Sequence, residues 1–141
     1  MRRSFQKALA AICLLAVLAG LAAGWFAPER RVTRYVNAHR AELQEAMDRY
    51  FEQGQHLSCG SDILSANDWP GQHPMVEYLL FTGATGYYGF YYSPDDVPLA
   101  FQNVPVPLTE TADGWQWQGK GDNRGITRRL SPQWFFFEAH F

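Results

Sequence analysis

The stretch ALAAICLLAVLAGLAAGWFA, residues 8–27, contains no charged side chain and is mostly apolar. As an α-helix that rises about 1.5 Å per residue, it would be about 30 Å long, which matches the hydrocarbon core of a bilayer. Arg2, Arg3 and Lys7 lie just before it, as is typical of a segment that enters a membrane. The sequence therefore predicts a basic tail over 1–7 and a transmembrane helix over 8–27.

A cleaved signal peptide is the alternative for the same residues. Ala22 and Gly24 supply the small residues of a cleavage site, but Trp25 and Phe26 continue the apolar run where an interfacial aromatic belt would lie. We therefore expect a single-pass signal-anchor in the cell membrane, with a cytoplasmic N-terminus and an extracytoplasmic C-terminal domain. Basic residues flank both ends of the run, so this orientation rests on the short basic tail.

Small residues recur at every fourth position of the run. Ala16, Gly20 and Gly24 form a stripe with one GxxxG pattern, which lets two helix backbones approach closely. This pattern leaves open a homodimer through Gly20 and Gly24. The alternative is that alanine and glycine are simply frequent in membrane segments.

Residues 28–55 carry an apolar stripe at helical spacing, from Val32 to Phe51, opposite a charged face. The spacing predicts one amphipathic helix, with Gly54 as its stop. Five basic and five acidic residues cancel in this region, so attraction to an anionic lipid surface is weak. We expect the stripe to pack on the domain that follows it; docking on the membrane or on a partner helix is the alternative.

Residues 56–141 consist of short aromatic and β-branched runs separated by Gly, Pro and Asp, a pattern that predicts strands and turns. The predicted strands are 57–64, 75–82, 87–92, 115–118, 125–130 and 133–141. Because the connections are short, neighbouring strands should be antiparallel. The predicted fold class is α+β: the N-terminal transmembrane helix, the amphipathic helix, and a mainly antiparallel meander sheet of about five or six strands in a β domain over 56–141.

Three features refine this sheet. In the last strand, two sets of side chains point to opposite faces. The expected core face is Phe135, Phe137, Ala139 and Phe141, and the other set is Trp134, Phe136, Glu138 and His140. Gly89 should leave room for a large ring on a neighbouring strand. The Pro-rich residues 94–113 predict an extended loop that either covers a sheet edge or has a function of its own.

Residues that could carry chemistry are few. The four histidines fall at no metal-ligand spacing and Cys59 stands alone, so we predict no metal site, no cofactor and no catalytic residue. We expect Cys59 to be a buried core thiol rather than a nucleophile activated by His56. The loop 119–125 lacks the order of a phosphate-binding loop and predicts a hairpin connection.

Charge and aromatic content bear on partners. Residues 56–141 hold four basic and nine acidic side chains, a difference of five negative charges that disfavours nucleic acid. Exposed aromatic rings could stack on sugars, although core packing is the common fate of such rings. The candidate binding residues are Tyr87, Tyr91, Trp115, Trp117 and Trp134.

Three segments, YYGFYYSPDDVPLAFQ, DGWQWQGKGDN and WFFFEAHF, follow one another in the β region. In this combination the chain resembles a group of small bacterial membrane proteins, each with a single N-terminal span, a helix and a β-rich tail. The resemblance covers nearly the whole chain and implies a bacterial source and this architecture. It implies no activity and no site residue, because the group has no assigned activity.

The sequence therefore favours a non-enzymatic extracytoplasmic accessory or binding module of the cell envelope, with an envelope glycan or a membrane protein as partner. The first alternative is a subunit or regulator of a membrane protein complex. The second is an envelope hydrolase, which Asp95, Asp122 and His140 would support if they converged in one cleft.

Overall fold

The computed structural model describes residues 12–17, 19–20 and 27–141. Residues 12–17 and 19–20 are helical, and two further helices precede the sheet. The helices are α1 (Pro28–Ala38) and α2 (Arg40–Gln53), and the strands are β1 (Ser65–Trp69), β2 (Met75–Thr82), β3 (Gly86–Tyr92), β4 (Leu108–Thr111), β5 (Gly114–Gln118), β6 (Arg124–Ser131) and β7 (Trp134–His140).

The strands form one sheet in the order β1-β2-β3-β7-β6-β5-β4, and every neighbouring pair is antiparallel. The predicted antiparallel sheet is confirmed. A simple meander of five or six strands is wrong, because the described chain has seven strands and β3 pairs with β7 at the centre. Both central strands are aromatic on both faces, which suits strands that are covered on two sides.

The prediction of a transmembrane helix over 8–27 as part of the fold is wrong. Within residues 12–17, 19–20 and 27–141, no helix is long and apolar enough to cross a membrane. The tail 1–7 lies outside the described residues, as do residues 8–11, 18 and 21–26 of the predicted span, which include Gly24. The homodimer through Gly20 and Gly24 stays a prediction.

The predicted amphipathic helix is two helices that meet at His39. The backbone N–H of His39 closes α1 on Tyr35 O, and Gly54 ends α2 in a left-handed conformation, as expected. The break keeps the apolar residues of both helices on the sheet. Buried Val32 and Met47, one from each helix, belong to the same core, so the expected packing of the stripe on the β domain is confirmed.

The sheet is covered on both faces. On the helix side, α1 and α2 pack on Tyr78, Phe90 and Phe136. On the other side, residues 93–107, which we call the strap, run across the sheet and bury Phe101 of a 3₁₀ turn against Phe137. The predicted loop therefore covers a face of the sheet rather than an edge, and its last part forms β4. In β7, Phe135, Phe137 and Ala139 are buried as expected, but Trp134 and Phe136 of the other set are buried as well.

Two local predictions had opposite outcomes. A Cβ added to Gly89 would lie 2.0 Å from Tyr78 O and 2.7 Å from the Phe137 ring, so the expected close approach of a ring is confirmed. The predicted strand over 57–64 is wrong, because the first strand is β1 and the residues before it are irregular. Edge strand β1 pairs in register with β2, and that partner rather than its own polar sequence makes it a strand.

Candidate functional site: a polar cleft on the helix side of the sheet

A cleft of about 660 Å³ lies over strands β4 to β7. Strand register places two rows of side chains on this face of the sheet. The first row is Thr109, Gln116, Ile126 and Glu138; the second is Gln118, Arg124 and His140. All seven line the cleft, and only Ile126 among them is apolar.

The start of α1 marks one boundary of the cleft. Arg128 lies two residues after Ile126 on the same face and pairs with Glu29 in the first turn of α1. Glu138 and His140 alternate with Trp134 and Phe136 along β7, so they share the helix side with that core. The helix therefore covers one half of this face, and the polar half beyond it forms the cleft.

The tight connection between β5 and β6 positions the second row. The amide of Gln118 donates to the carbonyl oxygens of Gly121 and Asn123, at 3.2 and 3.1 Å. Gly121 has a φ of 67°, which glycine adopts without strain. The predicted hairpin connection is thereby confirmed, and it brings Arg124 directly opposite His140 in the register of β6 and β7.

His140 links the cleft to the β2–β3 hairpin. Its Nδ1 lies 3.0 Å from Thr85 O, and its Nε2 lies 2.6 Å from Glu138 Oε1. Both partners are oxygens that can accept hydrogen bonds, and together they fix the orientation of the imidazole ring. The Tyr88 ring meets the imidazole edge-on at 6.2 Å. Burial, and then the charge of Glu138, raise the pKa of Tyr88.

The five predicted binding residues are not gathered in one place. Tyr91, Trp117 and Trp134 are buried in the two cores, whereas Trp115 is half-buried and Tyr87 is 38% exposed. Trp134 donates from its indole to Gln44 on α2. Trp117 packs against Gly125, where a Cβ would lie 2.5 Å from its ring, and its buried indole N–H meets no acceptor among the described residues. Their binding role stays a prediction.

The hydrolase alternative required Asp95, Asp122 and His140 to converge, and Asp95 lies apart from His140. Asp95 pairs with His73 at 2.8 Å beyond one end of the sheet, while His140 stands at the other end of β7. No group of three or more metal-ligating side chains occurs in the described part of the chain. Cys59 is exposed, so the expectation of a buried thiol is wrong.

A second polar cluster lies under the strap. The carboxylate of Glu77 is 2% exposed, and its Oε2 accepts a hydrogen bond from the backbone N–H of Gln102 at 2.8 Å. Burial raises the pKa of Glu77 to about 7, although the bonds from Gln102 and from the Trp69 indole lower it. Tyr91 binds both the N–H and the carbonyl of Leu99. This cluster fixes the strap rather than lining a cleft.

Sequence reasoning missed most of the cleft. The alternation in β7 does place Glu138 and His140 on one face, but Arg124 and Gln116 enter only through strand pairing. The alternation of glutamine with tryptophan in QWQ, residues 116–118, was the available signal.

No model of a known protein family matches the chain, and comparisons with curated proteins and with solved structures found no match either. The resemblance to small bacterial membrane proteins therefore stays a prediction.

Proposed function

We propose that the chain is a non-enzymatic binding module that holds a polar ligand, of glycan type, in the cleft over β4 to β7. The observation that carries the proposal is the lining of the cleft: two cross-strand rows supply amide, hydroxyl, guanidinium, imidazole and carboxylate groups around a volume of about 660 Å³. Ligand clefts of proteins typically have volumes of a few hundred to about 1,000 Å³.

The polarity of the lining favours a ligand rich in hydroxyl groups. Most ligand clefts are largely apolar with a few polar groups, whereas six of the ten residues that line this one are polar. Amide side chains such as Gln116 both donate and accept, as a sugar hydroxyl does. The side chains stand on hydrogen-bonded strands, so the groups are held in place before the ligand arrives.

We include in the proposal an extracytoplasmic location in the cell envelope. The basic residues before the apolar run 8–27 support this location, since a short basic segment followed by an apolar segment directs export. The net negative charge of the β domain disfavours a polyanionic partner such as nucleic acid.

Titration of the ¹⁵N-labelled full-length protein with the tetramer of N-acetylglucosamine tests the ligand class. We expect backbone amide shifts that map to β5, β6 and the end of β7. Gln116→Ala should weaken binding, whereas Gln72→Ala, which changes an exposed glutamine outside the cleft, should not. Shifts confined to the exposed Tyr87 and Phe141 would refute the cleft as the binding site.

Exposed Cys59 serves as a probe of location. A Cys13→Ser variant leaves it as the sole cysteine of the chain. Labelling in intact cells with a membrane-impermeant maleimide is expected for an extracytoplasmic domain. Labelling only after lysis would place the domain in the cytoplasm and refute this part of the proposal.

A further inference from the structure

Strand β6 carries three arginines, and they differ in their partners. Arg128 pairs with Glu29, and Arg129 pairs with Asp96. The Arg124 guanidinium makes no ion pair or hydrogen bond with any residue that the structure describes. It is also the only one of the three that lines the cleft over β4 to β7.

The nearest carboxylate to Arg124 across the strand pair, that of Glu138, already has another hydrogen-bond partner. His140 on the neighbouring strand β7 is directly opposite Arg124, and Glu138 lies two residues before His140 on the same face of the sheet. Long side chains reach such diagonal neighbours. Glu138 instead binds Nε2 of His140 at 2.6 Å, and that ring is held from its other side by Thr85 O.

The local charge of this corner differs from that of the β domain. Arg124 stands opposite His140, and its guanidinium carries a positive charge that no described residue pairs with, while the carboxylate of Glu138 is bound by His140. The surrounding domain, residues 56–141, has five more acidic than basic side chains. A ligand with one carboxylate is therefore attracted here, while a polyanion is repelled by the rest of the surface.

We propose that Arg124 binds the carboxylate of an acidic saccharide in the cleft, and that His140 is a positioning residue that keeps Glu138 from pairing with Arg124. The guanidinium can bind a carboxylate through two parallel hydrogen bonds. Gln116 and Thr109, in the adjacent row, are placed to bind the sugar hydroxyls. This inference rests on the proposed binding function and names its ligand class.

Two matched probes test the inference: methyl β-D-glucuronide, which carries a carboxylate, and methyl β-D-glucoside, which does not. We expect the glucuronide alone to shift the Nε–H resonance of Arg124 in the full-length protein. Arg124→Ala should reduce glucuronide affinity about tenfold or more. Lys120→Ala removes the same charge from the nearby hairpin, outside the cleft lining, and should leave the affinity within about twofold.

The role of His140 is tested by a double-mutant cycle. His140→Ala frees Glu138 to pair with Arg124 and should lower glucuronide affinity about threefold or more, whereas the same change in a Glu138→Gln background should have little effect. A purely structural role of His140 would weaken binding equally in both backgrounds and would overturn the positioning role.

The outcomes separate this inference from the proposed function. Equal binding of both glycosides, or an affinity unchanged by Arg124→Ala, overturns the carboxylate site and leaves the binding module standing. A lack of response to both glycosides also overturns the carboxylate site, and the N-acetylglucosamine tetramer then decides the proposed function by its own result.

Discussion

Glu77 makes the stability of this domain depend on pH. Its carboxyl group is almost fully buried under the strap, and burial raises its pKa from 4.5 to about 7. In the unfolded chain the group ionises near pH 4.5, whereas in the folded protein it stays neutral until about pH 7. The stabilisation is complete below pH 4.5, and it is lost as the pH rises from there to about 7.

The size of the effect follows from the two pKa values. The difference between 4.5 and about 7, at about 1.4 kcal/mol for each pH unit, gives about 3 kcal/mol lost between pH 4.5 and pH 8. This is a large fraction of the 5–15 kcal/mol of free energy of unfolding that is typical of a domain, on the order of a fifth to three fifths. Glu77→Gln removes the ionisable group and keeps an oxygen that can accept the N–H of Gln102.

The assay is urea unfolding at pH 5, 6, 7 and 8, followed by tryptophan fluorescence, on the native chain and on Glu77→Gln. We expect similar free energies of unfolding at pH 5 and a variant that is more stable than the native chain at pH 8, by up to about 3 kcal/mol. Glu110→Gln, a change of an exposed carboxylate on β4, should leave the native pH profile intact. Parallel profiles for the native chain and Glu77→Gln would refute the reasoning.

Two further predictions concern packing. Gly89→Ala places a Cβ 2.0 Å from Tyr78 O and should lower the free energy of unfolding by about 3 kcal/mol. Gly60→Ala is the control, because the atom nearest to its new Cβ would be 3.5 Å away. It should change the free energy of unfolding by less than about 0.5 kcal/mol in the same denaturation experiment. Tyr91→Phe removes the hydroxyl that binds Leu99 and should cost about 1–3 kcal/mol. It should also speed hydrogen exchange of the Leu99 amide, and an unchanged exchange rate would contradict the view that this hydroxyl fixes the strap.

The central strands could be predicted from the sequence because their own residues determine them. The prediction 75–82 has the same bounds as β2, and 87–92 differs from β3 by one residue at its start. Aromatic and β-branched runs need burial on a sheet wherever they occur, so the pattern is local. Gly89 was predictable for the same reason, since a glycine between large rings indicates a close approach.

The two edge strands could not be predicted in this way. Neither β1, SANDW, nor β4, LTET, has a distinctive apolar pattern. Each becomes a strand because a neighbour offers an unpaired edge, β2 for the first and β5 for the second. The apolar residues of 57–64 suggested a strand instead, but their burial on the helix-side core, as for Ile63, does not require strand pairing.

The candidate site depends on long-range strand register even more than the edge strands do. Glu138 and His140 share a face by simple alternation, but their relation to Arg124 exists only because β6 pairs with β7 with Arg124 opposite His140. A shift of one residue in that register would turn Arg124 to the strap side. No pattern within β6 alone indicates which of its three arginines lies over a cleft and which are paired.

The different coverings of the two faces explain why we propose the cleft, and not the strap side, as the binding surface. On the strap side, Glu77, Tyr91 and Asn103 bond the backbone of the strap or of the β1–β2 turn, so a ligand would have to break those bonds first. On the helix side, Arg124 has no competing partner in the described chain and His140 already holds Glu138. The proposed ligand would therefore bind to side chains on hydrogen-bonded strands without breaking a contact of Arg124, which keeps the cost of association low.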